Sequence, residues 1–336
     1  MVNNLIDAWL AYKLHNEGRS EATVRKYRGY LERLVRFLDA EGRPGLLEAS
    51  TDDLEAFAGL HAHKEGLSPR SRIALVAALK GFYRWARKKG LRPDDPAEDV
   101  PHPVAGRRLP IPLASRNAQK ILREPDLDTF EGVRDCAMLM VLIGCGLRVS
   151  GLVGLNESAL QLVEIDGKEW MVIKVREKGK KERLIPAPHD VRYILHAYLG
   201  HPGLAEIDRT LPDGDRVLFV SVNNRLIPPH EYHGEARRIR ARSVHEMIQK
   251  YGKRAGIPED QLHPHAMRHL FGVELAEHGV DPLLRKALLG HERVETTEIY
   301  SHLAMRHLAQ VMDRANPFNT IETPFTRLVR ELERRH

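Results

Sequence analysis

Six residues in the sequence have side chains that could together perform chemistry on a phosphate diester. An arginine grips two phosphate oxygens through a planar guanidinium group that keeps its charge. A phenol, whose pKa is ordinarily about 10, can attack phosphorus when a base or a positive field activates it. A lysine or a histidine can protonate the leaving alcohol. In chain order the candidates are Arg148, Lys178, His265, Arg268, His291 and Tyr300.

Each candidate also has a plain structural interpretation. Arg148 follows Gly144-Cys145-Gly146-Leu147, where glycines allow a tight turn, but it could be a surface arginine near a helix end. Lys178 lies in a basic hairpin turn that could simply be solvated. Tyr300 has polar neighbours that favour exposure, although a tyrosine on a helix is usually a core residue.

His265 and Arg268 are spaced to share one helix face, so both could meet one ligand. The N-terminus of that helix favours phosphate because its N–H groups are free and its dipole is positive. The alternatives are a structural cap cluster and a metal site that includes His263 and His269. For the metal site no further ligand is evident, and we expect no metal and no cofactor.

Composition limits the class of protein. The chain has 336 residues, which predicts about two domains, and a net charge of +6. Residues 1–116 hold 20 basic against 15 acidic residues, so most of the positive charge lies there and suits a polyanionic partner. No apolar run approaches the roughly 18 residues of a membrane span, and no secretory signal is evident. Cys136 and Cys145 indicate core residues in a reducing cytosol.

The patterns predict a mostly α-helical fold with a small antiparallel β-sheet. Residues 1–92 predict a four-helix domain, and the prolines of residues 93–116 predict an extended linker. Residues 117–316 predict a mixed α+β domain, and residues 317–336 an amphipathic tail helix. Within the mixed domain we expect helices and three strands. The predicted strands span 161–165, 169–176 and 182–186, and the predicted helices span 135–143, 189–199, 243–255, 265–278, 281–289 and 303–312.

These residues and their flanks resemble the tyrosine recombinase (phage integrase) family, and in particular its short Xer-type members. The matching segments are Gly146-Leu147-Arg148-Val149-Ser150, Lys178-Gly179-Lys180-Lys181-Glu182-Arg183, His265-Ala266-Met267-Arg268-His269, and Leu289-Gly290-His291 followed by Tyr300. The resemblance implies that residues 1–92 are a core DNA-binding domain and that residues 117–316 are the catalytic domain. It implies a site-specific recombinase that cleaves and rejoins DNA strands through a 3′-phosphotyrosyl intermediate, without metal or ATP.

The resemblance also implies a role for each candidate. Tyr300 is the nucleophile, Arg148 and Arg268 hold the scissile phosphate, and Lys178 protonates the leaving 5′-oxygen. His265 acts in acid–base transfer and His291 donates to a non-bridging oxygen. The expected DNA-contacting residues are Arg70, Arg72, Lys80, Arg84, Lys180 and Lys181.

The expected partner is a double-stranded DNA recombination site, bound by a dimer on one site and a tetramer in synapsis. A second recombinase or an accessory DNA-binding protein could take part, and no membrane is involved. We expect no separate arm-binding domain before the helical one, and therefore one class of core sites. The tail, with Phe325, Leu328, Val329 and Leu332 on one face, is expected to dock on a neighbouring subunit.

Gly151 departs from the family, which commonly has an acidic residue there. Its presence means either that another group orients the active-site residues or that activity is low. This departure keeps open a DNA-binding regulator whose active site has decayed. Two further functions also stay open: a type IB topoisomerase acting as a monomer, which shares the chemistry, and a metal-dependent nuclease, although no carboxylate cluster is visible for the nuclease.

Overall fold

The computed structural model describes residues 2–104, 106, 111–176, 182–224, 226–290 and 302–326. The chain forms two compact units, Met1–Arg108 and Leu109–His336. Among these described residues, every helix is too short or too polar to cross a bilayer.

The first unit is built from helices whose starts are set by side-chain caps. The helices are α1 (Val2–His15), α2 (Glu21–Ala40), α3 (Thr51–Ala56) and α4 (Pro69–Lys88), with α3 continuing through a π-helical segment, Phe57–His61, and the turn Ala62–Lys64. Ser20 and Ser68 each accept a backbone N–H of the following helix, and Ser50 forms a reciprocal capping box with Asp53.

The core of this unit lies between the apolar stripes of the helices. Trp9 is fully buried, stacks on Tyr27 with ring centroids 5.4 Å apart, and meets the edge of Phe82 at 5.7 Å. Leu31 and Leu34 pack into the same core. Aromatic pairs of this geometry add to the free energy of burial.

The first part of the predicted linker packs onto this unit. Ala97 and Val100 are buried in its core, and Lys80 Nζ donates to the carbonyl of Glu98 at 3.0 Å. At the other end of the predicted linker, Leu113 is buried in the core of the second unit. Residues of the proline-rich segment therefore belong to the cores of both units.

The second unit combines helices with one three-stranded antiparallel sheet in the order β1-β2-β3. The strands are β1 (Leu160–Ile165), β2 (Lys168–Arg176) and β3 (Glu182–Pro186). The helices are α5 (Ser115–Leu122), α6 (Phe130–Gly144), α7 (Val149–Val153), α8 (His189–Leu199), α9 (Pro202–Ala205), α10 (Ala241–Arg254), α11 (Pro264–Glu277), α12 (Pro282–Leu289) and α13 (His302–Ala315).

Helix α6 is the centre of this unit, because almost all of its residues from Val133 to Gly144 are buried. Helices α5, α8 and α11 pack around it. The turn after α6 leads directly to Arg148, so the most buried helix of the unit positions one of the candidate residues.

The predicted fold class is confirmed, and the three predicted strands agree with the observed ones to within one residue. Helix α5 was not predicted and begins inside the segment assigned to the linker, at Ser115. The π-helical segment Phe57–His61 was also not predicted. Within that segment the rings of Phe57 and His61 stack with centroids 5.8 Å apart.

Candidate active site

The turn before Arg148 depends on a glycine. Gly146 has φ +59°, and a Cβ built on it would lie 2.3 Å from Cδ1 of the buried Phe271. Only glycine adopts this left-handed conformation at little cost and also leaves room for the ring. The chain then enters α7 with the half-buried Arg148 at the N-cap position.

Helix α11 carries the second pair of candidates. His263 caps the helix by accepting the N–H of Ala266 at its Nδ1, 3.0 Å away, and Pro264 occupies the first turn. His265 is exposed, and Arg268 is buried on the same helix. The structural cap role predicted as an alternative for this cluster is therefore filled by His263.

Arg148 and Arg268 converge on the C-terminal end of α12. Arg268 Nη1 donates to the carbonyl of Gly146 at 2.6 Å, and its Nη2 donates to the carbonyl of Leu289. Arg148 Nη2 donates to the next carbonyl, that of Gly290, at 2.9 Å. Both guanidinium groups are thus held at the two residues that precede His291, Arg268 at Leu289 and Arg148 at Gly290.

The pKa of His265 is lowered by burial and in part by the charges of the two arginines. Desolvation lowers the pKa of His265, and the charges of His263, Arg268, His269 and Arg148 lower it further. A neutral imidazole therefore stands beside two guanidinium groups near neutral pH, which is the state needed to accept a proton.

Gly151 lies in α7 against the sheet. A Cβ on Gly151 would lie 3.1 Å from Cγ1 of Val175 on β2, so a larger residue would require the valine to shift. The main-chain carbonyls of Gly146, Leu289 and Gly290 hold the two arginines. Backbone acceptors thus supply orientation that does not depend on an acidic side chain at position 151.

Three of the six candidates lie outside the described residues. These are Lys178 in segment 177–181, and His291 and Tyr300 in segment 291–301. Lys180 and Lys181, predicted to contact DNA, also lie outside them. The structure therefore places Arg148, His265 and Arg268 near one another. It also gives the ends of the described chain to which segments 177–181 and 291–301 connect.

The four predicted DNA contacts on α4 occupy different environments. Arg70 and Arg84 are exposed, whereas Arg72 and Lys80 are half-buried. Lys80 holds the carbonyl of Glu98, as described above, and Arg72 lies two residues from Arg70, toward the core-facing side of the helix. Arg70 and Arg84 are the members of the set whose charge is most available to a partner.

Sequence reasoning missed two residues that support this region. Arg183 on β3 donates to the carbonyl of Leu288, and the buried Asn316 donates to the carbonyl of Gly144 at 2.7 Å. In the sequence, Arg183 was named only as the last residue of the segment 178–183 that resembles the family. Neither contact has a signal in the sequence, because each acceptor is a backbone carbonyl.

The tail begins by packing on its own unit. Ile321 is buried, Phe325 packs against the core, and Thr323 donates its hydroxyl to the carboxylate of Asp190 on α8. Residues 317–325 form a short 3-10 turn and a loop, and Thr326 is helical. Leu328, Val329 and Leu332, which were predicted to dock on a neighbour, lie outside the described residues.

The metal site considered as an alternative included His263 and His269. His263 uses Nδ1 as the helix cap, and the described part of the chain contains no group of three or more His, Cys, Asp or Glu side chains able to hold a metal ion. Cys136 and Cys145 are buried, and burial raises the pKa of the Cys136 thiol to about 12.

Comparison with known sequences decides the family. The profile of the Phage integrase family matches residues 113–307, and the profile described as Phage integrase, N-terminal SAM-like domain, matches residues 6–90. The chain belongs to the phage integrase family. It is therefore a tyrosine recombinase, an enzyme of the class that cleaves and rejoins DNA strands in site-specific recombination.

Two curated relatives place this recombinase near the Xer proteins. It is 34% identical over 306 residues to tyrosine recombinase XerD of Xanthomonas campestris, covering 90% of this chain and 88% of that protein. It is 33% identical over 315 residues to tyrosine recombinase XerC of Pseudomonas fluorescens, covering 93% and 96%. The likeness to the two types is almost equal, so identity alone does not assign the recombinase to either.

A solved structure supports the fold. A lambda integrase dimer bound to a COC′ core site aligns with 89% of this recombinase and 99% of that chain, with a TM-score of 0.61 and 15% sequence identity. At this identity the likeness shows the fold alone.

Proposed function

We propose that this tyrosine recombinase cleaves one DNA strand with Tyr300 and holds the scissile phosphate with Arg148 and Arg268. The observation that carries the proposal is the convergence of those arginines on the two residues that precede His291, with His265 one helical turn before Arg268. Family membership supports the nature of the reaction.

The proposed step conserves atoms and charge. The phenolic oxygen of Tyr300 forms a bond to phosphorus while the bond from phosphorus to the 5′-oxygen breaks. The phenolic proton passes to His265, whose lowered pKa keeps it neutral and ready to accept, and Lys178 gives a proton to the 5′-oxygen. The 5′-hydroxyl of the partner strand then attacks the 3′-phosphotyrosyl bond and releases Tyr300. Because the covalent bond retains the energy of the phosphodiester, no ATP is required.

The arginines act mainly on the transition state. Negative charge accumulates on the phosphate oxygens as the tyrosine attacks, and fixed cationic donors stabilise that charge without reorganisation. A guanidinium group is planar and presents several N–H donors, so one arginine can contact two phosphate oxygens at once. His291 is proposed to donate to a non-bridging oxygen.

We further propose that the substrate is a double-stranded recombination site, bound by a dimer and brought into synapsis by a tetramer. Relatives named as tyrosine recombinases, and the lambda integrase dimer bound to DNA, support DNA as the substrate and an oligomer as the active form. Arg70 and Arg84 on α4 are proposed to contact the DNA backbone, as are Lys180 and Lys181. Chromosomal or element DNA as substrate would locate the protein in the cytoplasm.

Segment 327–336 is proposed to dock on a neighbouring subunit. The preceding residues, 317–326, are anchored on the protomer's own catalytic unit through Ile321 and the contact between Thr323 and Asp190. This anchoring supplies a fixed point from which a docking segment could extend. A second recombinase or an accessory DNA-binding protein as partner stays an open part of the proposal.

Gly151 favours one alternative, a DNA-binding regulator that has lost catalysis. The same experiment decides between the two functions. A nicked suicide duplex carrying the binding site, found by footprinting beside the gene, should trap a protein–DNA adduct that survives denaturant. Tyr300→Phe should bind the duplex and form no adduct.

Each other outcome has a distinct meaning. An equal adduct with Tyr300→Phe would identify another nucleophile, and binding without any adduct in the wild type would support the regulator. Relaxation of supercoils without strand exchange would indicate a topoisomerase. Loss of cleavage with a chelator would indicate a metal-dependent nuclease.

A further inference from the structure

Arg183 is a buried cation beside the site that the proposed mechanism does not use. It lies on β3, pairs with Val175 across the sheet, and is 6% exposed. Its Nη1 donates to the carbonyl of Leu288 at 2.8 Å. A buried arginine is costly unless it is well hydrogen-bonded, so its position indicates a specific task.

The carbonyl that Arg183 holds is the first of three in succession. The contacts are Arg183 to Leu288, Arg268 to Leu289, and Arg148 to Gly290. The three guanidinium groups come from β3, α11 and the turn before α7. One end of one short helix, α12, is therefore gripped from three separate elements.

The chemistry of a helix end explains the grip. The last carbonyls of a helix lack partners within the helix and carry partial negative charge, which suits cationic donors. Gly290 ends α12 in the left-handed conformation, with φ +63°. Two of the arginines are also proposed to bind the scissile phosphate. Arg183 holds the remaining carbonyl of the three, that of Leu288, from strand β3.

Arg183 also connects two segments that carry proposed catalytic groups. Strand β3 follows segment 177–181, which contains Lys178, and the strand packs against α12 and α13. Segment 291–301, which contains His291 and Tyr300, runs between those two helices in the sequence. Burial raises the pKa of the Cys145 thiol, and the charge of Arg183 opposes part of that rise.

We propose that Arg183 is a positioning residue that fixes the C-terminal end of α12 and thereby the starting point of the segment bearing His291 and Tyr300. The inference rests on the proposed function for those two residues. The physical reason is that attack on phosphorus requires the nucleophile within a few tenths of an ångström of its productive position. A misplacement of about 1 Å can cost roughly 10²-fold in rate.

The test compares Arg183→Met with a matched control, Arg209→Met. Arg209 is 7% exposed in the same unit, and its Nη1 donates to the carbonyl of Val217 at 2.9 Å. It therefore reproduces the loss of a buried arginine that holds a backbone carbonyl; this variant also loses the ion pair with Glu157, and neither partner belongs to α12. The suicide duplex is used under single-turnover conditions, and the Kd for the same duplex is measured separately.

We expect Arg183→Met to form adduct roughly 10²-fold more slowly than Arg209→Met, with the two Kd values within about threefold. Hydrogen exchange in the segment 282–290 should increase in Arg183→Met and stay at the wild-type level in Arg209→Met. A rate within threefold of the control, or unchanged exchange in that segment, overturns the proposal. The exchange measurement does not depend on catalysis, so it tests the grip on α12 even if the wild type forms no adduct, which would refute the proposed function instead.

A second duplex distinguishes whether Arg183 positions the segment with the nucleophile or acts through Lys178 in the hairpin. A sulfur in place of the 5′-bridging oxygen makes the leaving group a thiol, with a pKa of about 8.5 instead of roughly 15, so it needs no proton donor. We expect this duplex to restore cleavage by Lys178→Ala but not by Arg183→Met. Restoration of Arg183→Met would show that the arginine acts through the hairpin, and would overturn the proposal. Failure to restore Lys178→Ala would refute only the proposed role of Lys178.

Discussion

The replacement Gly146→Ala tests how tightly the turn before Arg148 is built. The new Cβ would lie 2.3 Å from Cδ1 of Phe271, whereas carbon atoms in contact stay about 3.5–4.0 Å apart. Phe271 is fully buried, so its ring has little room to move away. Overpacking of this kind costs about 1–3 kcal/mol, and the left-handed conformation costs an alanine about 1–2 kcal/mol more.

A second glycine separates these two costs. Gly279 has φ +66° and no atom within 4 Å of a Cβ built on it, so Gly279→Ala introduces the conformational cost alone. We therefore expect Gly146→Ala to reduce the free energy of unfolding by about 1–3 kcal/mol more than Gly279→Ala. In a unit of this size the additional loss corresponds to a fall in Tm of roughly 2–12 °C, which calorimetry resolves.

The same pair of variants should differ more in cleavage than in DNA binding. Gly146 also supplies the carbonyl that holds Arg268, and Arg148 follows two residues later. Displacement of the turn should move both guanidinium groups, so the single-turnover rate should fall for Gly146→Ala and stay near the wild-type value for Gly279→Ala. Equal Tm values for the two variants, with equal rates, would refute the account of the turn given above.

Four further changes probe the site and the tail. Arg268→Lys keeps the charge but loses the planar fork, and we expect a roughly 10²–10³-fold slower adduct formation with a nearly unchanged Kd; a matching loss of binding would contradict a transition-state role. Because the pKa values of His265 and His269 are both lowered from 6.5, protonation favours the unfolded chain. The free energy of unfolding should thus decrease as the pH falls below about 6.5, and NMR titration should place both midpoints below that of a free histidine. Asn316→Ala leaves a buried carbonyl without its donor and should cost about 1–3 kcal/mol in chemical denaturation, whereas an unchanged midpoint would mean that water replaces the amide. Deletion of 327–336 should leave DNA binding by the protomer intact and abolish tetramers in sedimentation; persistence of tetramers on DNA would rule out docking by this segment.

The sequence predicted most of the secondary structure of the second unit because its signals are local. Turn residues separate the three strands, and the periodicity of apolar residues gives α8 the same bounds as the predicted helix 189–199. Helix α5 was missed for a local reason as well. Its N-cap is Ala114, which has no side-chain acceptor, and it follows a series of prolines that indicated an extended segment.

The site was predictable only in part. Residue types and spacing identified Arg148, His265 and Arg268 as candidates. In the structure the two arginines hold successive carbonyls at the end of α12, and His265 lies one helical turn before Arg268. What orients the arginines was not predictable, because the acceptors are the carbonyls of Gly146, Leu289 and Gly290 and any residue type could supply them. From the sequence, the missing acidic residue at position 151 suggested that the active-site arginines would be poorly oriented. In the structure, backbone carbonyls orient them.

The amide of Asn316 has a practical consequence for anyone expressing the catalytic half alone. The match to the family profile stops at residue 307, which falls within α13. A fragment cut there would lack the amide that occupies the carbonyl of Gly144, the ring of Phe318 against that glycine, and the hydroxyl of Thr323 bonded to Asp190. Fragments intended for crystallisation or assay should therefore extend at least through Thr326.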